Sequence, residues 1–148
     1  GVRHSTGIGI DFVRDAEGRI RDLVLPDGEI ISYTYTAAGD LASVTDAADQ
    51  TTQLQYTEPR FAHYLTGIVD PRGVRVVRNE YDDDGRLVAT IDADGNRVAF
   101  TRDIDGRIEQ VRDRRGNLST YVYDDSGRVL AETNAEGETT TRTYDGDG

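Results

Sequence analysis

The chain contains no cysteine, no methionine, no tryptophan and no lysine. Without cysteine there can be no disulfide, no thiolate nucleophile and no sulfur-ligated metal, and the redox compartment stays open. Without lysine, all 17 basic residues are arginine, set against 28 Asp and Glu for a net charge of -11. That imbalance repels a phosphate backbone, so nucleic-acid binding through a basic face is disfavoured. No apolar run is long enough to cross a bilayer, and no charged-then-apolar leader opens the chain, so no membrane insertion is expected. Because residue 1 is Gly and Met is absent, the sequence is expected to be a processed or excised piece of a longer polypeptide. Helix caps and a 3.6-residue apolar period are missing as well.

What the chain has instead is a period. Gly18, Gly28 and Gly39 are followed, after a less regular middle, by Gly73, Gly85, Gly95, Gly106, Gly116, Gly127, Gly137 and Gly148. From Gly85 the steps alternate 10 and 11 residues, a 21-residue unit of two halves. Such regular apolar and glycine spacing argues against disorder, despite the charge, and points to stacked repeats.

In the short half the second position is aliphatic: Ile20, Leu41, Leu65, Leu87, Ile108 and Val129. Its seventh is Asp46, Asp70, Asp92, Asp113 or Asn134, with one exception. In the long half the seventh position is Tyr35, Tyr56, Tyr81, Tyr123 or Tyr144, with Arg102 departing, and Tyr33, Phe100 and Tyr121 stand two residues earlier. Aromatics two apart share one face of an extended strand. Each half thus supplies about six strand residues and about four turn residues. Val, Ile, Thr and Tyr fill the strands, and Asp, Asn and Gly fill the turns. The reading is all-β: about fourteen short strands in tandem antiparallel hairpins, curving as one twisted, spiralling sheet. It covers residues 1–148 as one repeat segment, with an irregular start at 1–14 and regular half-repeats over 19–148. A longer loop is inserted at 57–64.

The motif Tyr81-Asp82-Asp83-Asp84-Gly85-Arg86-Leu87 recurs as Tyr123-Asp124-Asp125-Ser126-Gly127-Arg128-Val129. A degenerate copy runs Arg102-Asp103-Ile104-Asp105-Gly106-Arg107-Ile108. On these residues the chain resembles the YD-repeat, or Rhs, family. The resemblance implies a spiralling β-shell. In bacterial Rhs toxins and insecticidal toxin-complex C components such a shell encloses a variable toxin domain, and in teneurins a related shell serves adhesion. It implies the remaining repeats and an enclosed cargo as partners, and a secreted or cell-surface location. The Asp-Pro-x-Gly-Leu signature that closes bacterial arrays is absent, so no proteolytic or toxin activity is carried over. The pattern would continue past Gly148 with Arg and an aliphatic strand. An unpaired edge is therefore expected there, open to edge-to-edge self-association.

Several residues invite a more specific reading. The acidic turns at Asp82–Asp84, Asp92–Asp94 and Asp103–Asp105 could gather calcium, but the EF-hand and β-roll patterns fail, and Asp with Gly is what tight turns require. Arg19, Arg86, Arg107 and Arg128 could form an anion row or pair with their turn carboxylates. The tyrosine column could stack a sugar or cargo, or pack neighbouring strands with its hydroxyls at a wet edge. His4 and His63 make neither a metal site nor a triad, and no nucleophile elbow or phosphate loop is present. The insertion, with Pro59 at its tip, offers Arg60, Phe61 and His63 as a distinctive contact or is simply a longer loop. No cofactor, metal or catalytic residue is assigned. The expected function is a non-enzymatic wall segment; the rivals are an adhesion surface and an acidic-residue hydrolase.

Overall fold

A computed structural model describes residues 1–5 and 7–146. The repeat glycine at position 148 lies outside the described residues. Fourteen strands follow one another in a sheet whose strand order is the chain order, every registered pair being antiparallel. The all-β, consecutive-hairpin expectation therefore holds. Two compact units, Gly1–Arg78 and Asn79–Gly148, divide within one strand.

The first unit carries β1 (Val2–Arg3), β2 (Gly9–Arg14), β3 (Ile20–Val24), β4 (Ile30–Tyr35), β5 (Leu41–Thr45), β6 (Thr51–Gln55) and β7 (Gly67–Val69). It ends inside β8 (Arg75–Tyr81). The second unit continues through β9 (Leu87–Asp92), β10 (Arg97–Asp103), β11 (Ile108–Arg112), β12 (Leu118–Tyr123), β13 (Val129–Thr133) and β14 (Thr139–Thr141).

β-Branched residues suit these half-covered pleats, and several face one another across strands as hydroxyl pairs. Thr45 and Thr51 meet at 2.9 Å, Thr133 and Thr139 at 2.8 Å, and Thr34 and Ser43 at 2.6 Å. Burial is slight. Among the described residues only Gly67, Ala89 and Ile91 are buried. A sandwich of two packed sheets would bury alternate residues along every strand, so each unit here is a single layer. Among the described residues no helix is long and apolar enough to cross a membrane.

Two local departures from the repeat stand out. Leu65 holds the aliphatic second position of its short half, yet β7 begins only at Gly67. The reason lies at the loop's base. The Thr66 N–H donates to the Gln55 carbonyl at 2.7 Å, and the Thr57 N–H donates to Thr66 Oγ1 at 3.0 Å. Those bonds end the ladder and leave the insertion outside it. The second is Gly106, which aligns in sequence with the turn glycines. The left-handed residue of that turn is Arg107, at φ 53°. Pairing of β10 with β11 runs straight on to Asp103↔Ile108, whereas the equivalent hairpins shift register at Thr34/Tyr35 and Val122/Tyr123. Asp103 stays in the strand, and its Oδ1 accepts the Gly106 N–H at 2.9 Å.

Candidate functional site

The recurring unit of chemistry is the turn, and Asp124 shows how it is built. Its Oδ1 accepts the backbone N–H of Ser126 and of Arg128, both at 2.9 Å. The Asp124 N–H donates to the Arg128 carbonyl, and the Gly127 N–H returns to the Asp124 carbonyl. Closing the chain this tightly puts Gly127 at φ 78°, where a side chain is disfavoured and glycine is not. Asp15, Asp46, Asp70, Asp82, Asp92 and Asp113 accept the same pair of N–H groups, two and four residues on. Asn134 does so without a charge. Thr36 manages one such bond, from the Asp40 N–H at 3.1 Å.

These contacts set the acidity of the turns. The backbone N–H of Arg128, and then its guanidinium, hold Asp124 below the usual carboxylate range. The backbone N–H of Arg86 does the same for Asp82, and the side-chain amides of Asn96 and Asn117 for Asp92 and Asp113. At Asp15 burial pushes upward most strongly, yet the combined bonds from Arg19 and Glu17 outweigh it. Carboxylates stabilised as anions in this way are poor proton donors at neutral pH. Among the described residues no group of three or more acidic or histidine side chains is placed to hold a metal ion.

A second set of contacts links one repeat to the next. Arg128 Nε donates to Asp124 Oδ2 at 2.8 Å, and the guanidinium lies 4.6 Å from the ring centre of Tyr144. Arg19 stands likewise on Asp15, at 2.7 Å, and over Tyr35, at 4.4 Å. The tyrosine hydroxyls are not left to water. Tyr35 donates to the Ile20 carbonyl at 2.7 Å, Tyr56 to Leu41 at 3.0 Å and Tyr144 to Val129 at 2.8 Å, in each case fifteen residues back. Each acceptor is the first residue of a short-half strand. Tyr, Asp, Gly, Arg and the aliphatic residue of the motif are thus joined in one contact set.

Departures from the motif follow the same geometry. Arg102 takes the tyrosine position, and its Nη1 donates to the Leu87 carbonyl at 2.6 Å, again fifteen residues back. It also pairs with Glu109 at 2.7 Å. Glu109 in turn receives the Tyr123 hydroxyl at 3.1 Å, which diverts Tyr123 from the carbonyl pattern. Arg86, with an arginine where its tyrosine would be, pairs with Asp84 and stands 3.8 Å from Asp82. Arg107 pairs with Asp125 rather than with a carboxylate of its own turn. Tyr81 ends β8 and is half-buried.

The insertion's three candidate residues are engaged with the chain itself. Arg60 Nε donates to Glu58 Oε1 at 2.8 Å, and this bond leads the influences that bring Glu58 down to about 2. The Arg60 guanidinium also lies 5.4 Å from the ring of Phe61, which stacks on Tyr64 at 5.0 Å. His63 Nδ1 meets Asp40 Oδ1 at 2.7 Å, across twenty-three residues of sequence. Sequence reading missed Asp40, although the signal was there: it is the one residue after a long-half turn glycine that is acidic where Arg19, Arg86, Arg107 and Arg128 are basic. Elsewhere in the first unit, Phe12, Ile20, Leu23, Tyr33, Tyr35 and Leu41 line an open groove of about 450 Å³.

A family model described as RHS Repeat matches residues 14–52, 81–118 and 123–148. The stretch between the first two segments holds the β6–β7 loop. A solved structure of the Tc holotoxin pore of Photorhabdus luminescens, carrying a mutation in TccC3, matches with 20% identity and a TM-score of 0.49. The match covers 90% of this chain and 9% of that one. Comparison with curated proteins returned no match.

Proposed function

The chain belongs to the RHS repeat family, and from that premise we propose that it is a non-enzymatic wall segment of a larger, secreted or surface-exposed shell that encloses a cargo domain such as a toxin. The observation that carries this reading is the single layer. Fourteen hairpin-linked strands bury only Gly67, Ala89 and Ile91 among the described residues. A globular enzyme or a self-sufficient binding domain of this length would wrap its apolar residues round a core. Here they sit half-covered on a sheet, as in a wall whose apolar face is completed by something else.

The polar chemistry supports the same reading. The acidic side chains of the turns are spent on backbone N–H groups and arginines, repeat after repeat. Catalysis calls for a singular pocket with a group poised to exchange protons near neutral pH. The neighbouring repeats of the parent chain and the enclosed domain are the partners this role requires.

The test uses the parent polypeptide. Limited proteolysis of the intact parent should leave the enclosed domain uncut while exposed loops are nicked. A parent in which Leu23 and Tyr33 are both replaced by Asp should lose that protection. If the enclosed domain is digested at the same rate with an intact wall as without one, the encapsulation reading fails.

A further inference from the structure

Where the repeat loses its arginine, the inserted loop arrives. In the Asp15 and Asp124 turns, the residue after glycine is an arginine that sits on the turn carboxylate and on the tyrosine of the following repeat. In the Thr36 turn both partners have changed: the carboxylate is Thr36 and the arginine is Asp40. Asp40 lies where the arginine belongs: its Oδ2 accepts the hydroxyl of the turn residue Thr36 at 3.4 Å, as Arg19 and Arg128 stand on Asp15 and Asp124. The Tyr56 hydroxyl still reaches the Leu41 carbonyl, so the strand frame is unaltered.

The imidazole of His63 meets this misplaced carboxylate. A carboxylate only accepts, so Nδ1 carries the proton in this contact. Asp40 is largely covered, with its side chain 14% exposed, whereas His63 is 59% exposed. His63 also holds φ 69°, a conformation that a non-glycine residue keeps only when its surroundings impose it. The departures coincide: a lost arginine, a covered carboxylate in its place, an inserted loop, and a strained residue of that loop on the carboxylate.

We infer that the β6–β7 loop is a strap, fastened to the β4–β5 turn by the His63–Asp40 contact, which takes the place of the arginine the repeat lacks there. Inside the strap, the Arg60–Glu58 pair and the Phe61–Tyr64 stack keep it folded as a unit. Unfastening it releases the loop while β6 and β7 remain paired, because Gln55 and Thr66 close its base independently of His63.

Trypsin cleavage after Arg60, followed by mass spectrometry on the full chain, reads the strap directly. Cleavage after Arg72, in the β7–β8 turn, serves as the internal reference. Losing a hydrogen bond to a charged group should raise cleavage after Arg60 about tenfold in His63→Ala, with Arg72 unchanged. His63→Gly separates strain from fastening, since it relieves the left-handed backbone yet removes the imidazole; it should open the strap as His63→Ala does. Asp40→Arg restores the repeat's own residue, so the fold is kept while His63 loses its acceptor, and cleavage after Arg60 should again rise. An unchanged rate after Arg60 in both His63→Ala and Asp40→Arg would overturn the inference. So would an equal rise after Arg72, which would mean general loosening of the sheet.

Discussion

Replacing Tyr35 with Phe removes one oxygen and nothing else. That oxygen donates to the Ile20 carbonyl at 2.7 Å from a half-covered position. A hydrogen bond of this kind contributes about 1 kcal/mol net, since water replaces it imperfectly at a partly covered carbonyl. The ring stays, and with it the contact to the Arg19 guanidinium 4.4 Å away. With a urea slope of about 2 kcal/mol per molar, the unfolding midpoint should fall by about 0.5 M with the slope unchanged. Tyr35→Leu removes the ring too; losing a solvent-facing cation–π contact adds about 0.5–1 kcal/mol and moves the midpoint further. Tyr33→Phe is the control, because that residue lines the same groove but lies outside the carbonyl pattern. Urea denaturation followed by circular dichroism is sufficient for all three. Equal midpoints for Tyr35→Phe and the parent chain, or equal losses at Tyr33 and Tyr35, would refute the claim that the hydroxyl joins one repeat to the next.

Asp49 holds φ 57° where the equivalent turns place glycine. Asp49→Gly should therefore raise stability by about 0.5–1 kcal/mol, seen as a higher melting temperature, because Asp tolerates this region better than most residues but worse than glycine. Arg102→Ala loses both the Leu87 carbonyl and the Glu109 pair, and should cost about 1–2 kcal/mol in a thermal melt; Arg102→Tyr should recover the carbonyl part. In acid the sign follows from depressed carboxylates. Their native forms bind protons less readily than the unfolded chain, so the stability they contribute is fully present above the ordinary carboxylate range and is lost as pH falls through it. For Glu58 that window runs from 4.5 to about 2, and Asp82, Asp92, Asp113 and Asp124 titrate downward from 3.8. Urea midpoints measured between pH 5 and pH 2.5 should fall steadily, and Asp124→Asn, which keeps the turn as Asn134 does, should flatten part of that fall.

The fold was legible because its signals are local and repeated. Tyr33 and Tyr35 two apart, Gly127 after Asp124, and Ile20 or Val129 after each turn specify strand, turn and strand from neighbouring residues alone. Pairing of Arg128 with a turn carboxylate was one of two readings the sequence left open, and the structure places it on Asp124. The sequence does not show where the hydroxyl of Tyr144 goes, since a carbonyl fifteen residues back becomes a neighbour only once the strands are in register. Gly106 misled for a related reason. The same Asp-x-x-Gly-Arg letters close a different turn when Asp103 remains in the strand, and a side chain's register cannot be read from the letters.

Irregularities were visible in the sequence as irregularities, but not as partners. Thr36, Asp40 and the insertion each break the pattern, and each taken singly is an ordinary loss: a weaker turn, a misplaced charge, a longer loop. Only the antiparallel return of β6 through its loop into β7 brings His63 onto Asp40, so the compensation belongs to the topology and not to any segment. Arg102 follows the same logic. As a letter it is a failed tyrosine, whereas in the sheet it reaches the Leu87 carbonyl that a tyrosine would have reached and engages Glu109 as well. In a repeat protein each unit is held mainly by its neighbours, so a substitution is tolerated where the contact across the repeat can be remade by another group. At two of the places where this chain departs from its motif, 36–40 and 102, that contact has been remade.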